Sequence, residues 1–462
     1  FFDPEARAKK SEETTQYFVE HPEAREHLSE LNRGKKPSAE TLAKRSASLR
    51  LSWQLRKKAK LREEHDMQIF EDMQKVFKDK FGQDAAQKFF SPGRVNTIGE
   101  HLDYCGGFVF PCAISLGTYA LVAPRVDNKT RVYSMNLADK GVIEFDMHGL
   151  KYNAAYDWAN YVAGTVATLE QAGYKAANGF DIVIYGTLPA GAGLSSSASL
   201  EVLTAVILNE NFNFGIDMIE MVKLSQKAEN EFVGMNCGIM DQFAVGMGKK
   251  DCAILLDCNT LKYRYSPIKL GDASIVITNT NKPHSLVTSA YNERRKECEN
   301  ALKDLQKVKP ELKALCELTN EEFDEISSAI QDPIEKLRAR HAVRENQRTL
   351  EGVKALEAND LEKFGQLMHD SHVSLCEDYD VTGSGPDYSS GESGDDVTDS
   401  GPDYSSSESG DDLTGSGPDF SSDEDREEFK HTLENGYTKK IGYAPSFYVA
   451  DVSDGTHKIS EE

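Results

Sequence analysis

A chain of 462 residues is too long for one small domain and predicts two compact domains with additional segments. Its formal net charge of −23 excludes general nucleic-acid binding by the chain as a whole, and no apolar run approaches the roughly 18 residues that cross a bilayer. The eight cysteines form no CxxC pair, which excludes a zinc ribbon or a disulfide framework and points to a reduced, cytoplasmic protein.

The chain opens on FFDPEARAKK, with neither an initiator Met nor the apolar core of a secretory signal, and reads as a fragment or a processed form. Residues 1–66 form a basic helical extension: from His21 to Arg62, twelve Lys/Arg stand against four Glu. Residues 32–64 have helix-forming composition, with Ser38 as a candidate cap. The piece GKKPSAETLAKRSASLR is similar to the short modular DNA-binding repeats attached to homing endonucleases. That similarity implies at most weak nucleic-acid contact through residues 21–62; a solvated basic helix is the alternative reading.

From Met67 to Gly383 the chain has the density of an enzyme. QIFEDMQKVFKDKF (68–81) predicts an amphipathic helix, with Ile69, Phe70, Met73, Val76, Phe77 and Phe81 at helical spacing. Residues 107–125, 180–188 and 273–280 predict strands. Residues 197–212, 218–234, 289–308 and 334–357 predict helices. Strands and helices mix without strict alternation, which predicts an α+β fold rather than a doubly wound sheet.

Three stretches carry chemistry. SPGRVNTIGEHLDYCGG (91–107) gathers Arg94, Glu100, His101 and Asp103 into ten residues flanked by glycines. Carboxylates accept hydrogen bonds from sugar hydroxyls in pairs, and Arg offers a fixed fork of donors that also steadies charge on a transferring phosphate. A surface turn held by salt bridges is the alternative. GTLPAGAGLSSSASLE (186–201) runs from a strand through a glycine-rich turn into three serines that open an apolar helix. Glycines let the backbone approach an anion, and a helix N-terminus offers free N–H groups. The serine hydroxyls add donors or a magnesium ligand. The lack of GxxxxGK[ST] excludes a P-loop, and a capped helix after a flexible turn is the alternative. ENEFVGMNCGIMDQF (229–243) ends a helix and presents Asp241 on a glycine-bearing turn. An Asp with the ordinary pKa of about 3.9 is ionised at neutral pH and can accept a hydroxyl proton.

Residues 381–428 are three copies of a 16-residue repeat, VTGSGPDYSSGESGDD, VTDSGPDYSSSESGDD and LTGSGPDFSSDEDREE. Residues 384–425 hold thirteen acidic side chains and no basic one, which predicts a disordered acidic insertion. Calcium binding by the Asp clusters is the other reading, although the spacing matches no EF-hand loop. A helix (425–442) and a strand-like segment (445–459) follow.

The first motif resembles the galactokinase signature, with Thr97 where Leu is usual and Cys105 where Asn is common. The second resembles the phosphate loop of the galactokinase, homoserine kinase, mevalonate kinase and phosphomevalonate kinase superfamily. CGIMDQF and the later TNTNKPHSLVTSAYNERRKECE also resemble galactokinases. The resemblance covers about three quarters of the chain, from Met67 to Gly383 and again from Glu427.

It implies a two-domain small-molecule kinase with the active site in the inter-domain cleft. The expected domains are 67–260 and 261–462, with the boundary between Leu256 and Tyr265. The implied reaction is ATP-dependent phosphorylation of galactose at its C1 hydroxyl, with Mg2+. Arg94 and Asp241 would be catalytic. Glu100, His101, Asp103 and Tyr291 would bind the sugar. Gly191, Gly193, Leu194, Ser195, Ser196 and Ser197 would cradle the ATP phosphates. Ser197 and Glu229 would hold Mg2+, an exposed helix residue being the other reading of Glu229. The family resemblance also implies a monomer.

After HDSHVSLCEDYDVTG, galactokinases continue into a glycine-rich ARMTGAGFGG segment, where this chain has the acidic repeats. That replacement leaves a second expectation open, a catalytically impaired galactokinase-like sugar-binding or regulatory protein. Nothing in the motifs chooses between galactose and N-acetylgalactosamine.

Overall fold

The computed structural model describes residues 39–189, 191–268, 275–279, 281, 287–380, 430–431, 434–439 and 442–460, with backbone alone for 39–59 and 287–290. The expectations for residues 1–38 and for the acidic insertion at 384–425 lie outside the described residues, as does much of the helix expected over 425–442. The nucleic-acid reading of 21–62 falls almost wholly outside the described side chains.

The chain divides into two units, Phe1–Ile69 and Phe70–Glu462. Helix α1 (Ala39–Phe81) begins in the first unit. There its Lys60–Glu64 and Arg62–Asp66 pairs, one turn apart, stand at 3.7 and 3.9 Å. Such solvated pairs contribute a few tenths of a kcal/mol each.

The second unit is built on a six-stranded sheet in the order β11-β1-β3-β6-β4-β5. Its members are β1 (Gln87–Asn96), β3 (Pro111–Pro124), β4 (Lys129–Ser134), β5 (Ile143–Asp146), β6 (Phe180–Gly186) and β11 (His457–Ile459). All neighbours are antiparallel except β4 and β6. On one face Phe89, Ala120, Val122, Ile182 and Ile184 pack against helices α2 (Ala159–Gln171) and α3 (Ser196–Phe212). On the other, Tyr119 meets Phe70 edge-on at 5.4 Å, and Phe90 lies 4.9 Å from the same ring. Coverage of both faces explains why β3 is buried almost throughout instead of alternating. Each fully buried large apolar side chain there contributes roughly 1.5–3 kcal/mol.

Strand β1 is not among the expected elements, and its Pro92 and Gly93 disfavour a strand interior. Pairing on both edges overrides that local preference, at a bulge. The β1–β3 register jumps from Pro92 opposite Gly117 to Arg94 opposite Ala113. Proline has no N–H for the ladder, and a bulge is where its absence is tolerated. The spare stretch of β3 pairs instead with the C-terminal segment, through Ile114 opposite Val452 and a 2.8 Å bond from Ser115 N–H to the Asp451 carbonyl. The chain beyond the acidic repeats therefore returns to the first sheet.

The expected strand at 107–125 is split into β2 (Phe108–Val109) and β3, and β2 joins β7 (Cys252–Asp257) and β8 (Tyr263–Pro267) in a separate sheet. The expected strand at 273–280 is β9 (Ile275–Asn279), paired with β10 (Ser446–Ala450). The expected helix at 218–234 stops being α-helical at Lys227: α4 (Met218–Lys227) gives way to a π-helical turn over Ala228–Val233. The Gly234 N–H bonds the Glu229 carbonyl five residues back, which widens the turn there.

Four longer helices follow among the described residues. They are α5 (Met240–Met247), α6 (Val287–Gln306), α8 (Pro333–Glu357) and α9 (Leu361–Ser374), with the short α7 (Asn320–Ile326) between α6 and α8. Helix α8 starts as helices should, with an Asp332 cap and Pro333 in its first turn, and α7 has a Thr319–Glu322 capping box. Leu102, Val109, Phe243, Ile254, Ala301, Leu305, Ala342 and Tyr379 share one core cluster. No helix among the described residues is long and apolar enough to cross a membrane. All eight cysteines are free.

Candidate active site

Three of the segments that line one cleft of about 200 Å³ carry most of the sequence motifs. They are the end of β1 with its following turn, the glycine-rich loop opening α3, and the first turn of α5. Arg94, Glu100, His101, Asp103, Gly191, Gly193, Leu194, Ser195, Ser196, Ser197, Glu229, Asp241 and Tyr291 all line it. Every residue singled out in the sequence is thus brought to the same place.

Arg94 sits just past the β1 bulge, and its two neighbours explain its aim. Gly93 has room for no side chain, since a Cβ would lie 2.6 Å from the Leu194 carbonyl, so the glycine-rich loop rests directly on the strand. The Arg94 N–H bonds that same carbonyl at 3.3 Å. The Arg94 guanidinium then reaches Asp241 Oδ1 from Nε at 2.9 Å and from Nη2 at 2.8 Å, and donates to the Gly193 carbonyl from Nη1. The second Asp241 oxygen accepts from Ser195 Oγ at 2.5 Å. With both oxygens engaged, the carboxylate of Asp241 has one orientation. It lies in the first turn of α5 rather than on a loop.

Ser195 adopts a left-handed backbone, φ 62°, and leaves the α3 N-terminus without a side-chain cap because its hydroxyl serves Asp241. His101 is also left-handed, φ 61°. A non-glycine residue held there costs on the order of 1–3 kcal/mol, and such positions concentrate at working sites. Gly191 and Gly193 meet the same demand without strain, at φ 69° and 65°. The uncapped α3 N–H groups and these two glycines face the cleft, an arrangement that suits a phosphate.

The other wall is the turn after β1. Asn96 Nδ2 donates to Glu100 Oε2 at 2.6 Å and holds that carboxylate. Asp103 accepts from the Met240 N–H, which satisfies an open donor at the start of α5. Burial, then the nearby Asp241 charge, pushes Asp103 up to about 6. Gly238 closes against Asp103 so tightly that a Cβ would fall 1.7 Å from Oδ2. Tyr291 OH accepts from the Gly238 N–H at 3.3 Å. His101 and Tyr291 give the cleft an aromatic wall, 5.9 Å apart, and behind it Tyr379 lies 4.7 Å from His101.

Glu229 is 3% exposed, so the exposed-helix reading of this residue does not hold. It bonds the Ser197 hydroxyl and accepts from Gln242 Nε2 at 2.5 Å and from Cys237 Sγ at 3.3 Å. Burial, then the Asp241 charge, raises its pKa. Gln242 also donates to Glu201, at 3.1 Å, and burial with the Glu229 charge lifts Glu201 well above the usual carboxylate range. The Ser197 hydroxyl and Glu229 carboxylate side by side at a helix N-terminus are oxygen donors of the kind Mg2+ prefers. Mg2+ commonly takes one or two protein ligands and completes its shell with substrate phosphate and water.

Several site residues escaped the sequence reading. Asn96, Cys237, Gly238 and Gln242 lie inside the quoted motifs but carry no chemistry by type alone. Tyr104 and Tyr379 come to lie behind the site only when the fold joins segments 275 positions apart.

Two family models match the chain: "Galactokinase galactose-binding signature" over residues 75–124 and "GHMP kinases N terminal domain" over residues 160–249. A galactokinase of Clostridium beijerinckii is 52% identical over 386 residues, covering 82% of this chain and 96% of the relative. One of Clostridium acetobutylicum is 51% identical over 401 residues, covering 85% and 100%. The crystal structure of Lactococcus lactis galactokinase complexed with galactose superposes with a TM-score of 0.75 at 39% identity, covering 85% of this chain and all of that one.

Proposed function

Because this chain belongs to the galactokinase family, we propose that its cleft transfers the γ-phosphoryl group of ATP to the C1 hydroxyl of galactose. The observation that carries the residue roles is the Arg94–Asp241–Ser195 cluster, a carboxylate held from both sides between a sugar-facing turn and an anion-facing helix end.

Asp241 accepts the C1 hydroxyl proton as the nucleophile forms. Arg94 holds Asp241 and steadies charge developing between acceptor and phosphate. Glu100, His101, Asp103 and Tyr291 bind galactose hydroxyls. Gly191, Gly193, Leu194, Ser195, Ser196 and Ser197 position the ATP phosphates through backbone N–H groups and hydroxyls. Ser197 and Glu229 hold Mg2+, which when bound neutralises phosphate charge. Positioning and charge account for most phosphoryl-transfer catalysis, and this chain's residues supply both. The same reading makes the protein a cytoplasmic monomer with domains 67–260 and 261–462. The free cysteines favour that compartment; the β9–β10 pair apart from the six-stranded sheet favours that division, while β11 and β8 cross it by pairing with β1 and β7.

The test is ADP release with galactose, ATP and Mg2+, run beside Asp241→Asn. We expect turnover by the parent and a loss of about 10²–10⁴-fold in kcat for the variant. Turnover equal in both would remove Asp241 from the chemistry. An inactive parent that galactose still protects against heat would make the acidic repeats at 384–425 disabling. N-acetylgalactosamine, assayed in parallel, should turn over more slowly than galactose.

A further inference from the structure

Behind the cleft a file of polar side chains leads from the core to His101. His101 Nδ1 lies 2.8 Å from Tyr104 OH. Tyr104 OH lies 2.9 Å from Tyr379 OH, and Tyr379 OH lies 3.1 Å from Cys298 Sγ. Cys298 in turn hydrogen-bonds Cys105. Tyr379, Cys298 and Cys105 are 0%, 3% and 4% exposed, so water does not compete for these groups. The members come from three parts of the chain: the turn after β1, helix α6 and the π-helical turn Leu375–Tyr379 that follows α9. The last of these is clamped from outside. Arg338 Nη1 donates to the Asp378 carbonyl at 2.6 Å, Ser374 Oγ donates to Asp378 Oδ2 at 3.1 Å, and Arg340 pairs with Asp378. The Tyr379 ring is fixed between His101 at 4.7 Å and His341 at 4.5 Å.

The file can run in two directions, and chemistry chooses one. A phenol is a good donor, a neutral imidazole nitrogen is a good acceptor, and a thiol is weak in both roles. With protons directed toward His101, Cys105 donates to Cys298, Cys298 to Tyr379, Tyr379 to Tyr104, and Tyr104 to His101 Nδ1. Every donor then has an acceptor and the strongest pairing falls at the histidine. The reverse direction asks a phenol to donate to sulfur and leaves a buried S–H without an acceptor, which costs free energy. With Nδ1 accepting, the imidazole carries its proton on Nε2. Burial, then the charges of His341, Arg294 and Arg338, lowers the His101 pKa to about 3, so the ring stays neutral at working pH.

We propose that Tyr379, acting through Tyr104, is a positioning residue for the sugar: it holds His101 as the Nε2–H tautomer, so that the ring offers galactose one N–H donor. This rests on the reading of His101 as a galactose contact. It gives a buried tyrosine, 278 positions along the chain from His101, a say in sugar affinity without touching sugar.

The experiment combines histidine 15N NMR with steady-state kinetics on the full chain. In the parent, His101 should show an unprotonated Nδ1 and a protonated Nε2, without titration down to about pH 5. Tyr104→Phe should raise the KM for galactose about tenfold, and Tyr379→Phe severalfold, each with kcat and the KM for ATP within about twofold. The double variant should be no worse than Tyr104→Phe alone, because Tyr379 acts only through Tyr104. A proton on Nδ1 in the parent spectrum overturns the proposal without any variant. So does an unchanged galactose KM in Tyr379→Phe, or a full additive loss in the double variant. If instead His101→Gln leaves the galactose KM unchanged, the sugar contact fails, while the parent spectrum still decides the tautomer.

Discussion

Asp103 illustrates how a residue legible as a ligand acquires its working value from its surroundings. Its type and spacing mark it as a hydroxyl acceptor, but its pKa of about 6 arises from burial and from Asp241 across the cleft. An ionised carboxylate accepts from sugar hydroxyls better than a neutral acid, so galactose binding should weaken as pH falls through that value. For one required ionisation the KM for galactose rises about tenfold between about pH 7 and pH 5, and Asp103→Asn should show a raised, flat profile. A profile unchanged by Asp103→Asn would assign the titration elsewhere. The stability sign is opposite to that of a salt-bridged acid. The folded chain holds this proton more tightly than the unfolded one, so this group's contribution to stability declines as pH climbs from the ordinary 3.8 to about 6.

The turn that carries the proposed sugar ligands is held by helices, not by itself. Glu345 of α8, fully buried, accepts from the Gly99 N–H at 2.9 Å, from Ser371 Oγ of α9 at 2.6 Å and from Arg348 Nε at 2.7 Å. His341 of α8 approaches the Glu100 carbonyl at 3.2 Å. Burial alone would raise the Glu345 pKa, but Arg348, His341 and Ser371 together hold it below the usual range. Glu345→Gln keeps the shape and loses the charge. We expect it to cost about 2–4 kcal/mol in urea unfolding and to raise the KM for galactose, because Gly99 loses its anchor next to Glu100. A loss of under about 0.5 kcal/mol would show that the turn stands without this carboxylate. Periodicity made α3, α6 and α8 readable. It missed β1, β4, β5, β7 and β8, which are short or carry Pro and Gly.

For the whole molecule the net charge of −23 opposes an anionic nucleotide approaching a cleft lined by Glu100, Asp103, Glu229 and Asp241. Salt screens such repulsion, with a Debye length of about 30 Å at 0.01 M and about 8 Å at 0.15 M. The KM for ATP, measured at constant free Mg2+, should therefore fall as ionic strength rises through that range. Replacing residues 384–425 by a short neutral linker removes thirteen negative charges and should shrink the effect. A KM for ATP that rises with salt in both forms would mean that local attraction in the cleft outweighs the field of the whole chain.

The sequence by itself determined the α+β class, the kinase family and thirteen side chains that line one cleft, because glycine-rich anion loops and clustered ligands are local in the chain. Tertiary structure decided how those side chains are set: both Asp241 oxygens engaged, Glu229 buried on a π-helical turn, and His101 joined through Tyr104 to Tyr379. Burial, hydrogen-bond direction and charge proximity are properties of neighbours in space, and no run of residues along the chain carries them.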